Sequence, residues 1–177
     1  MADLRELYFG TATQYYVAGR YAMFSGLVPV AGNLLHQAVE MALKGHLATT
    51  LSTSDLKNHK HSLHKLWRTF KKNLPTAHLK KYDSVITRLD QFETIRYPEH
   101  IAKHGMLVLQ DAAKVRSRSK AKVHQTVPRY DLRLQDVDAL LDAVFDSSSV
   151  NPKFFVTGLN SLAKKYLVME NATRLAG

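Results

Sequence analysis

The sequence predicts an all-α fold: an up-and-down bundle of four to five helices with a small β-hairpin insertion and two C-terminal helices. Apolar residues recur at the three- and four-residue spacing of a helix through most of residues 3–95. Proline and glycine fall between these stretches, where they end one helix and begin the next. The turns are short, so consecutive helices should run antiparallel to each other.

The first predicted helix covers residues 3–24, and Asp3 suits its N-terminus because a carboxylate accepts hydrogen bonds from unpaired backbone N–H groups. Its apolar positions at helical spacing are Leu4, Leu7, Tyr8, Tyr15 and Ala22. Gly26 and Pro29 interrupt the pattern, and a second helix is predicted over residues 31–50. The inward-facing positions of this second helix are Leu34, Leu35, Ala38, Met41 and Ala42.

A third and a fourth helix follow the polar segment 51–58, which we interpret as a turn. The third helix has an apolar stripe and is predicted to end at Pro75. That stripe consists of Leu63, Leu66, Trp67, Phe70 and Leu74. The fourth is predicted as one continuous helix over residues 76–95, interrupted by Pro98. Its apolar side consists of Leu79, Tyr82, Ile86, Leu89 and Phe92.

The remaining residues have a different pattern. Residues 105–134 contain short apolar and β-branched runs and are predicted as a β-hairpin with a basic loop at its tip. The loop cations alternate with small residues and are Lys114, Arg116, Arg118, Lys120 and Lys122. Helices are predicted over residues 136–145 and again after Asn151-Pro152. We therefore expect a single domain over residues 1–177, with a bundle in 1–104, the hairpin in 105–134 and C-terminal helices in 135–177.

The amino-acid composition of the chain excludes some classes of function and favours others. The chain of 177 residues has no cysteine, which excludes disulfides and a cysteine nucleophile and favours a cytoplasmic location. The most apolar stretch, residues 21–35, is shorter than the roughly 20 residues that a membrane-spanning helix needs, so no membrane partner is expected. A net charge of +10 favours anionic partners such as RNA or nucleotides.

Positive charge is concentrated in the third predicted helix. Residues 57–81 contain no Asp or Glu, and His61, Lys65, Arg68 and Lys72 follow one another at helical spacing. Such a stripe suits phosphate oxygens, although a solvated face of an amphipathic helix would have the same pattern. The stripe is therefore a candidate phosphate-binding surface.

Histidines form two further groups. His59 and His61 with His64 are too unevenly spaced to share one helix face, so no metal site is predicted. His100 and His104 are four residues apart after Pro98 and could act as acid and base. Phosphate-binding glycine loops and dinucleotide fingerprints are absent from the sequence, and no cofactor is predicted.

Three motifs occur in a characteristic order. The second predicted helix has a polar stripe within its apolar sequence, formed by Asn33, Gln37, Glu40 and Lys44. His61-Ser62-Leu63 follows, and Arg96-Tyr97-Pro98 comes at the end of the fourth predicted helix. With these motifs, residues 5–104 resemble the HEPN family of helical domains. The resemblance implies a bundle of four to five helices, frequent homodimers, and a cleft that many members use to hold or cut RNA, whereas some bind only nucleotides.

Catalytic members of the HEPN family carry an Arg followed, after four to six residues, by a His. Here Arg96 is followed by His100 after three residues and by His104 after seven. Arg118 and His124 have five residues between them, but they lie in the predicted basic loop and are assigned no catalytic role.

Three functions remain open. The first is non-catalytic binding of nucleotide or RNA phosphates. Its predicted contacts are Lys44, His61, Lys65, Arg68, Lys72 and Arg96. The second is a metal-independent ribonuclease in which Arg96 binds the scissile phosphate and His100 or His104 acts as base. The third is a scaffold for a protein partner, which the resemblance suggests could be a nucleotidyltransferase-like protein.

Overall fold

The computed structural model describes residues 3–72, 74, 78–110 and 128–168. The elements in the first half are α1 (Leu4–Phe24), α2 (Val28–Leu47), α3 (Thr53–Asn58), α4 (Leu63–Lys72), a 3₁₀ turn (Lys80–Tyr82), α5 (Asp83–Gln91) and a second 3₁₀ turn (Thr94–Arg96). The remaining elements are α6 (Pro98–His104), β1 (Leu107–Gln110), β2 (Arg129–Leu132), α7 (Leu134–Ser147), α8 (Lys153–Val156) and α9 (Ser161–Val168). The mainly helical fold with a small β insertion is confirmed.

Helices α1 and α2 form an antiparallel pair. Asp3 caps α1 as predicted, since its carboxylate accepts a hydrogen bond from the backbone N–H of Arg5. The two helices approach closely at Gly19, whose α-carbon faces Leu35, and at Gly45, which faces Phe9. Pro29 lies in the first turn of α2 and does not precede the helix. A proline is tolerated in the first turn because the N–H that it lacks would have no helical acceptor.

The polar segment 51–58 and the predicted fourth helix both differ from expectation. Residues Thr53–Asn58 form the short helix α3, because the Ser52 hydroxyl accepts a hydrogen bond from the N–H of Asp55 and caps it. The predicted continuous helix over residues 76–95 was wrong, since α5 is flanked by two 3₁₀ turns. The Thr94 hydroxyl donates to the Gln91 carbonyl at 2.7 Å, and Pro98 holds the preceding residue in an extended conformation.

The two strands lie in the segment where β structure was predicted, but their pairing is parallel, with Leu107 beside Arg129 and Gln110 beside Leu132. The predicted hairpin was therefore wrong, because a hairpin joins antiparallel strands. Parallel neighbours need a connection of about a dozen residues or more, and residues 111–128 separate these strands.

The C-terminal part begins with α7, which matches the predicted helix over residues 136–145. The predicted last helix is divided into α8 and α9. Asn160 precedes α9 and caps it, because its side-chain oxygen accepts a hydrogen bond from the N–H of Ala163 at 2.8 Å. No helix in the described part of the chain is long and apolar enough to cross a bilayer.

A buried ion pair joins α1 to α7. Arg20 is completely buried and its guanidinium lies 2.9 Å from Asp138, which is also buried. The Tyr16 hydroxyl donates to Asp138 and accepts from Arg20 at 3.0 Å. Burial raises the pKa of Asp138 above its ordinary value, and the hydrogen bonds from Tyr16 and Arg20 oppose this rise.

The free energy of unfolding depends on pH through His46, a histidine near the end of α2. Its Nδ1 lies 3.0 Å from the Ser148 hydroxyl, and its ring packs edge-on against Phe70. Burial lowers the pKa of His46, and the nearby Arg5 guanidinium lowers it further. The unfolded chain therefore takes up a proton at a higher pH than the folded protein does.

We accordingly expect the protein to lose stability as the pH falls below about 6.5, the ordinary value for histidine. Urea unfolding between neutral and mildly acidic pH would measure this loss. The His46→Gln variant should show a flatter dependence over the same range, because glutamine does not titrate. Parallel profiles for the two proteins would contradict the assignment.

Candidate anion-binding surface

Helix α4 is held at its first residue and near its middle by carboxylates from α5. The backbone N–H of Leu63 donates to Asp90 at 2.7 Å, which caps the helix. The indole of Trp67 donates to Asp83 at 2.6 Å. These contacts turn an apolar stripe into the core, formed by Leu63, Leu66, Trp67 and Phe70. The opposite face of α4 is thereby held in solvent.

That opposite face carries Lys65, Arg68 and Lys72, all of them exposed. Within the described part of the chain, none of the three forms an ion pair with a carboxylate. Lys71 differs from them, since its ammonium lies 2.6 Å from Asp83. Burial alone would raise the pKa of Asp83, but hydrogen bonds from Lys71 and Trp67 outweigh it and lower that pKa. The α4 face therefore presents cations that no carboxylate of the described residues neutralises.

The predicted polar stripe of α2 is largely internal. Glu40 is completely buried and accepts from the Lys44 ammonium at 2.6 Å, and Lys44 is itself almost fully buried. The second Glu40 oxygen lies 3.1 Å from Nδ1 of His61, whose ring is about half exposed. His61 precedes α4, so it lies beside the first turn of the helix and not on the same helical face as Lys65. Lys44 thus lies below the surface and acts on it indirectly, because it pairs with the Glu40 carboxylate that contacts His61.

His36 is a buried member of this cluster that the sequence patterns did not single out. Its Nδ1 lies 3.0 Å from the Leu89 carbonyl oxygen, and its Nε2 lies 3.1 Å from the His61 carbonyl oxygen. The ring thereby joins α2 to the end of α5 and to the residues before α4. His36 is four residues from Glu40 on the same helix, which is the signal that could have found it.

Arg96 is linked to His36 through Glu93. Its guanidinium is 3.5 Å from one oxygen of Glu93, while the other Glu93 oxygen is 4.0 Å from Nε2 of His36. That second oxygen is buried and has no hydrogen-bond partner among the described residues. A series of polar contacts therefore leads from Lys44 and His61 through His36 and Glu93 to Arg96.

Lys44, His61 and Arg96 each belong to one of the three sequence motifs, and a comparison with protein families tests the resemblance that those motifs carry. A family model for the HEPN domain matches residues 6–122. The chain belongs to the HEPN domain family. No curated protein and no solved structure gives a match. The HEPN match includes the strand β1 as well as the helices that carry the α4 face and Arg96.

The residues considered for HEPN catalysis are only partly brought together. The rings of His100 and His104 are 4.8 Å apart, and Nε2 of His100 lies 3.3 Å from the Tyr130 hydroxyl. Arg96 makes no hydrogen bond or ring contact with either histidine in the described part of the chain; its contacts are with Glu93 and Tyr97. The histidine pair and Arg96 thus have different neighbours.

The other predicted groups have separate surroundings. His59 contacts the Asp55 carbonyl and the Thr69 hydroxyl, whereas His64 lies 3.8 Å from Asp90. The basic loop with its five cations, and also His124, lie outside the described residues.

Proposed function

We propose that this HEPN protein binds the phosphates of RNA or of nucleotides through the exposed face of α4. The observation that carries the proposal is the set of three exposed cations, Lys65, Arg68 and Lys72, without a carboxylate partner among the described residues. A cation that already forms an ion pair must break that pair before it binds a phosphate. These three cations form no ion pair with a described carboxylate, so they bind without that cost. His61, beside the first turn of α4, and Arg96, which is linked to His36 through Glu93, remain the further predicted phosphate contacts.

The surrounding charges support the same ligand. Lys57 and Lys60 are exposed shortly before α4, and the chain as a whole carries a net charge of +10. A surface of one sign raises the local concentration of polyanions and increases their association rate. Membership of the HEPN family agrees with this, because many members hold or cut RNA.

Three further expectations remain predictions, namely a homodimer, a nucleotidyltransferase-like partner and a cytoplasmic location. A protein partner or a second copy of the chain would contact exposed apolar side chains at the start of α1 and around the α1–α2 turn. The exposed side chains there are Leu4, Leu7, Tyr21, Leu27 and Val30.

Single substitutions of Lys65, Arg68 and Lys72 with glutamine test the phosphate contacts. We expect each to weaken binding of a labelled single-stranded RNA and of ATP at low salt. For the RNA, each lost contact should reduce the dependence of log affinity on log salt by roughly 0.7. Fluorescence anisotropy over a series of potassium chloride concentrations measures both quantities.

Two control variants accompany this test. Lys71→Gln removes a cation of the same helix that Asp83 already neutralises, and Lys153→Gln removes an exposed cation on α8. Both should bind nearly as the original protein does. The proposal fails if the α4 variants and the controls behave alike, or if neither ligand binds at low salt.

A further inference from the structure

We infer that His100 and His104 together bind one divalent metal ion of the class formed by Zn²⁺, Ni²⁺ and Cu²⁺. The inference does not depend on the proposed function, because neither histidine is among the proposed phosphate contacts. It gives a role to a histidine pair whose neighbours differ from those of Arg96, at a place where the sequence did not predict a metal.

The two histidines lie one turn apart on α6, and their ring centres are 4.8 Å apart. A histidine nitrogen lies about 2.0–2.1 Å from a bound Zn²⁺, which places the ion about 3.2 Å from the centre of the ring. Two rings that share one ion at an angle of about 90–110° would therefore have centres about 4.5–5.2 Å apart. The separation of the two rings thus suits one shared ion.

A chain of three hydrogen bonds decides which nitrogen of His100 is free. The Thr94 hydroxyl uses its only hydrogen to donate to the Gln91 carbonyl, so it accepts from the Tyr130 hydroxyl, 3.2 Å away. Tyr130 has thereby used its own hydrogen, and it accepts from Nε2 of His100, 3.3 Å away. Nε2 of His100 therefore carries the hydrogen, and the lone pair of the neutral ring is on Nδ1.

This arrangement is the one that a metal-binding histidine needs. Such a histidine commonly donates its second ring N–H to a fixed acceptor, which orients the ring and makes its free nitrogen a better ligand. Tyr130 is a fixed acceptor, because its side chain is buried and its ring packs on Phe92 at 5.6 Å between centres. His104 is exposed, and its ring forms no ion pair or hydrogen bond with a described residue. The imidazole of His104 is therefore available as the second ligand.

The donor atoms select the class of ion. Imidazole nitrogen suits Zn²⁺, Ni²⁺ and Cu²⁺, whereas Mg²⁺ and Ca²⁺ prefer oxygen. Among the residues that the structure describes, no group of three or more His, Cys, Asp or Glu side chains is placed to hold a metal. The ion is therefore bound by two protein ligands, and water completes its coordination. Glu99 and Lys103 give α6 opposite charges that offset each other, so the helix does not repel a cation.

Isothermal titration calorimetry of the full chain with Ni²⁺, Cu²⁺, Zn²⁺ and Mg²⁺ tests the site. We expect Cu²⁺ to bind more tightly than Ni²⁺ or Zn²⁺, and Mg²⁺ not to bind. Tyr130→Phe should weaken Ni²⁺ binding roughly 10- to 100-fold, since it removes the acceptor of His100 but keeps the buried ring. His100→Ala and His104→Ala should each weaken it at least as much, because a single imidazole does not chelate the ion. Circular dichroism checks that the variants fold.

Nitrogen-15 NMR of the histidine rings gives a second, independent measurement. The neutral His100 ring should be the Nε2–H tautomer, and addition of Zn²⁺ should shift its Nδ1 resonance. The matched control is His64→Ala, which removes another half-exposed histidine, on α4. This control should leave both the Ni²⁺ affinity and the Nδ1 shift unchanged.

Three results would overturn the inference. The first is Ni²⁺ binding by His100→Ala and His104→Ala that equals that of the original protein, or an equal loss in His64→Ala. The second is a neutral His100 ring that carries its hydrogen on Nδ1. The third is Mg²⁺ binding as tight as Ni²⁺ binding, because oxygen ligands would then hold the ion. The proposed function is tested separately, by the α4 variants.

Discussion

Replacing Asp138 with asparagine is expected to lower the free energy of unfolding by about 3–5 kcal/mol, because it removes the carboxylate that pairs with the buried Arg20 guanidinium. Arg20 is completely buried and Asp138 nearly so, so water cannot replace the lost partner. Asparagine keeps the shape of the side chain and can still accept a hydrogen bond from Tyr16. The loss therefore reports the missing negative charge and not a cavity.

Urea unfolding followed by circular dichroism measures this change. Asp131→Asn is the control, because Asp131 pairs with Arg133 and Arg88 where the side chains are partly exposed, and such pairs contribute about 1 kcal/mol or less. Joint replacement of Arg20 by methionine and Asp138 by leucine should recover much of the lost stability, since it removes both buried charges. A loss below about 1 kcal/mol for Asp138→Asn would contradict the expected role of the pair.

The Arg20–Asp138 pair also shows where sequence patterns stop being informative. The two residues are 118 positions apart, and each lies on a helix whose apolar spacing is ordinary. Periodicity identifies which positions of a helix face inward, so it located α1 and α7. It does not say that a charged residue at one inward position meets a charged residue from a distant helix. Only the packing of α1 against α7 supplies that information.

The differences in the fold have similar causes. Helix boundaries set by capping residues, such as Asp3, followed from local sequence. The division of the predicted fourth helix depends on the Thr94 hydroxyl and on Pro98, and an apolar stripe continues through such 3₁₀ turns unchanged. The parallel direction in which β1 and β2 pair is a tertiary feature, which composition and alternation do not encode.

In the candidate site, the sequence identified the charged residues and the Glu40–Lys44 pair, but not the partners that come from distant helices. Lys71 and Lys72 are neighbours with the same chemistry, yet only Lys71 reaches Asp83, on α5. Lys44 and Glu40 were predicted as part of a polar stripe, and the fold turns that stripe into a buried support for His61. Availability for a ligand is thus a property of the tertiary arrangement, and the α4 face became distinct only once the partners of each cation were known.

The second large effect is expected for Gly32→Ala, on α2. A β-carbon at position 32 would lie 1.9 Å from Cδ1 of Phe92, far inside van der Waals contact. The Phe92 ring is completely buried, so it cannot move aside into solvent. Overpacking of this kind costs about 1–3 kcal/mol or more, which exceeds the gain of up to about 1 kcal/mol from placing alanine in a helix. We therefore expect a net loss of stability.

The same substitution should also weaken RNA binding, because Phe92 precedes Glu93 and packs against Tyr130 at 5.6 Å between ring centres. A displaced Phe92 shifts the turn that carries Arg96 and Tyr97. Gly10→Ala on α1 is the control, since its β-carbon would lie 3.6 Å from Phe155, an ordinary contact, and alanine should stabilise that helix by about 0.5–1 kcal/mol. Thermal unfolding and RNA titration of both variants test the link. If Gly32→Ala is as stable as the original protein, α2 does not constrain Phe92. If it is less stable but binds RNA unchanged, the turn is held independently of Phe92.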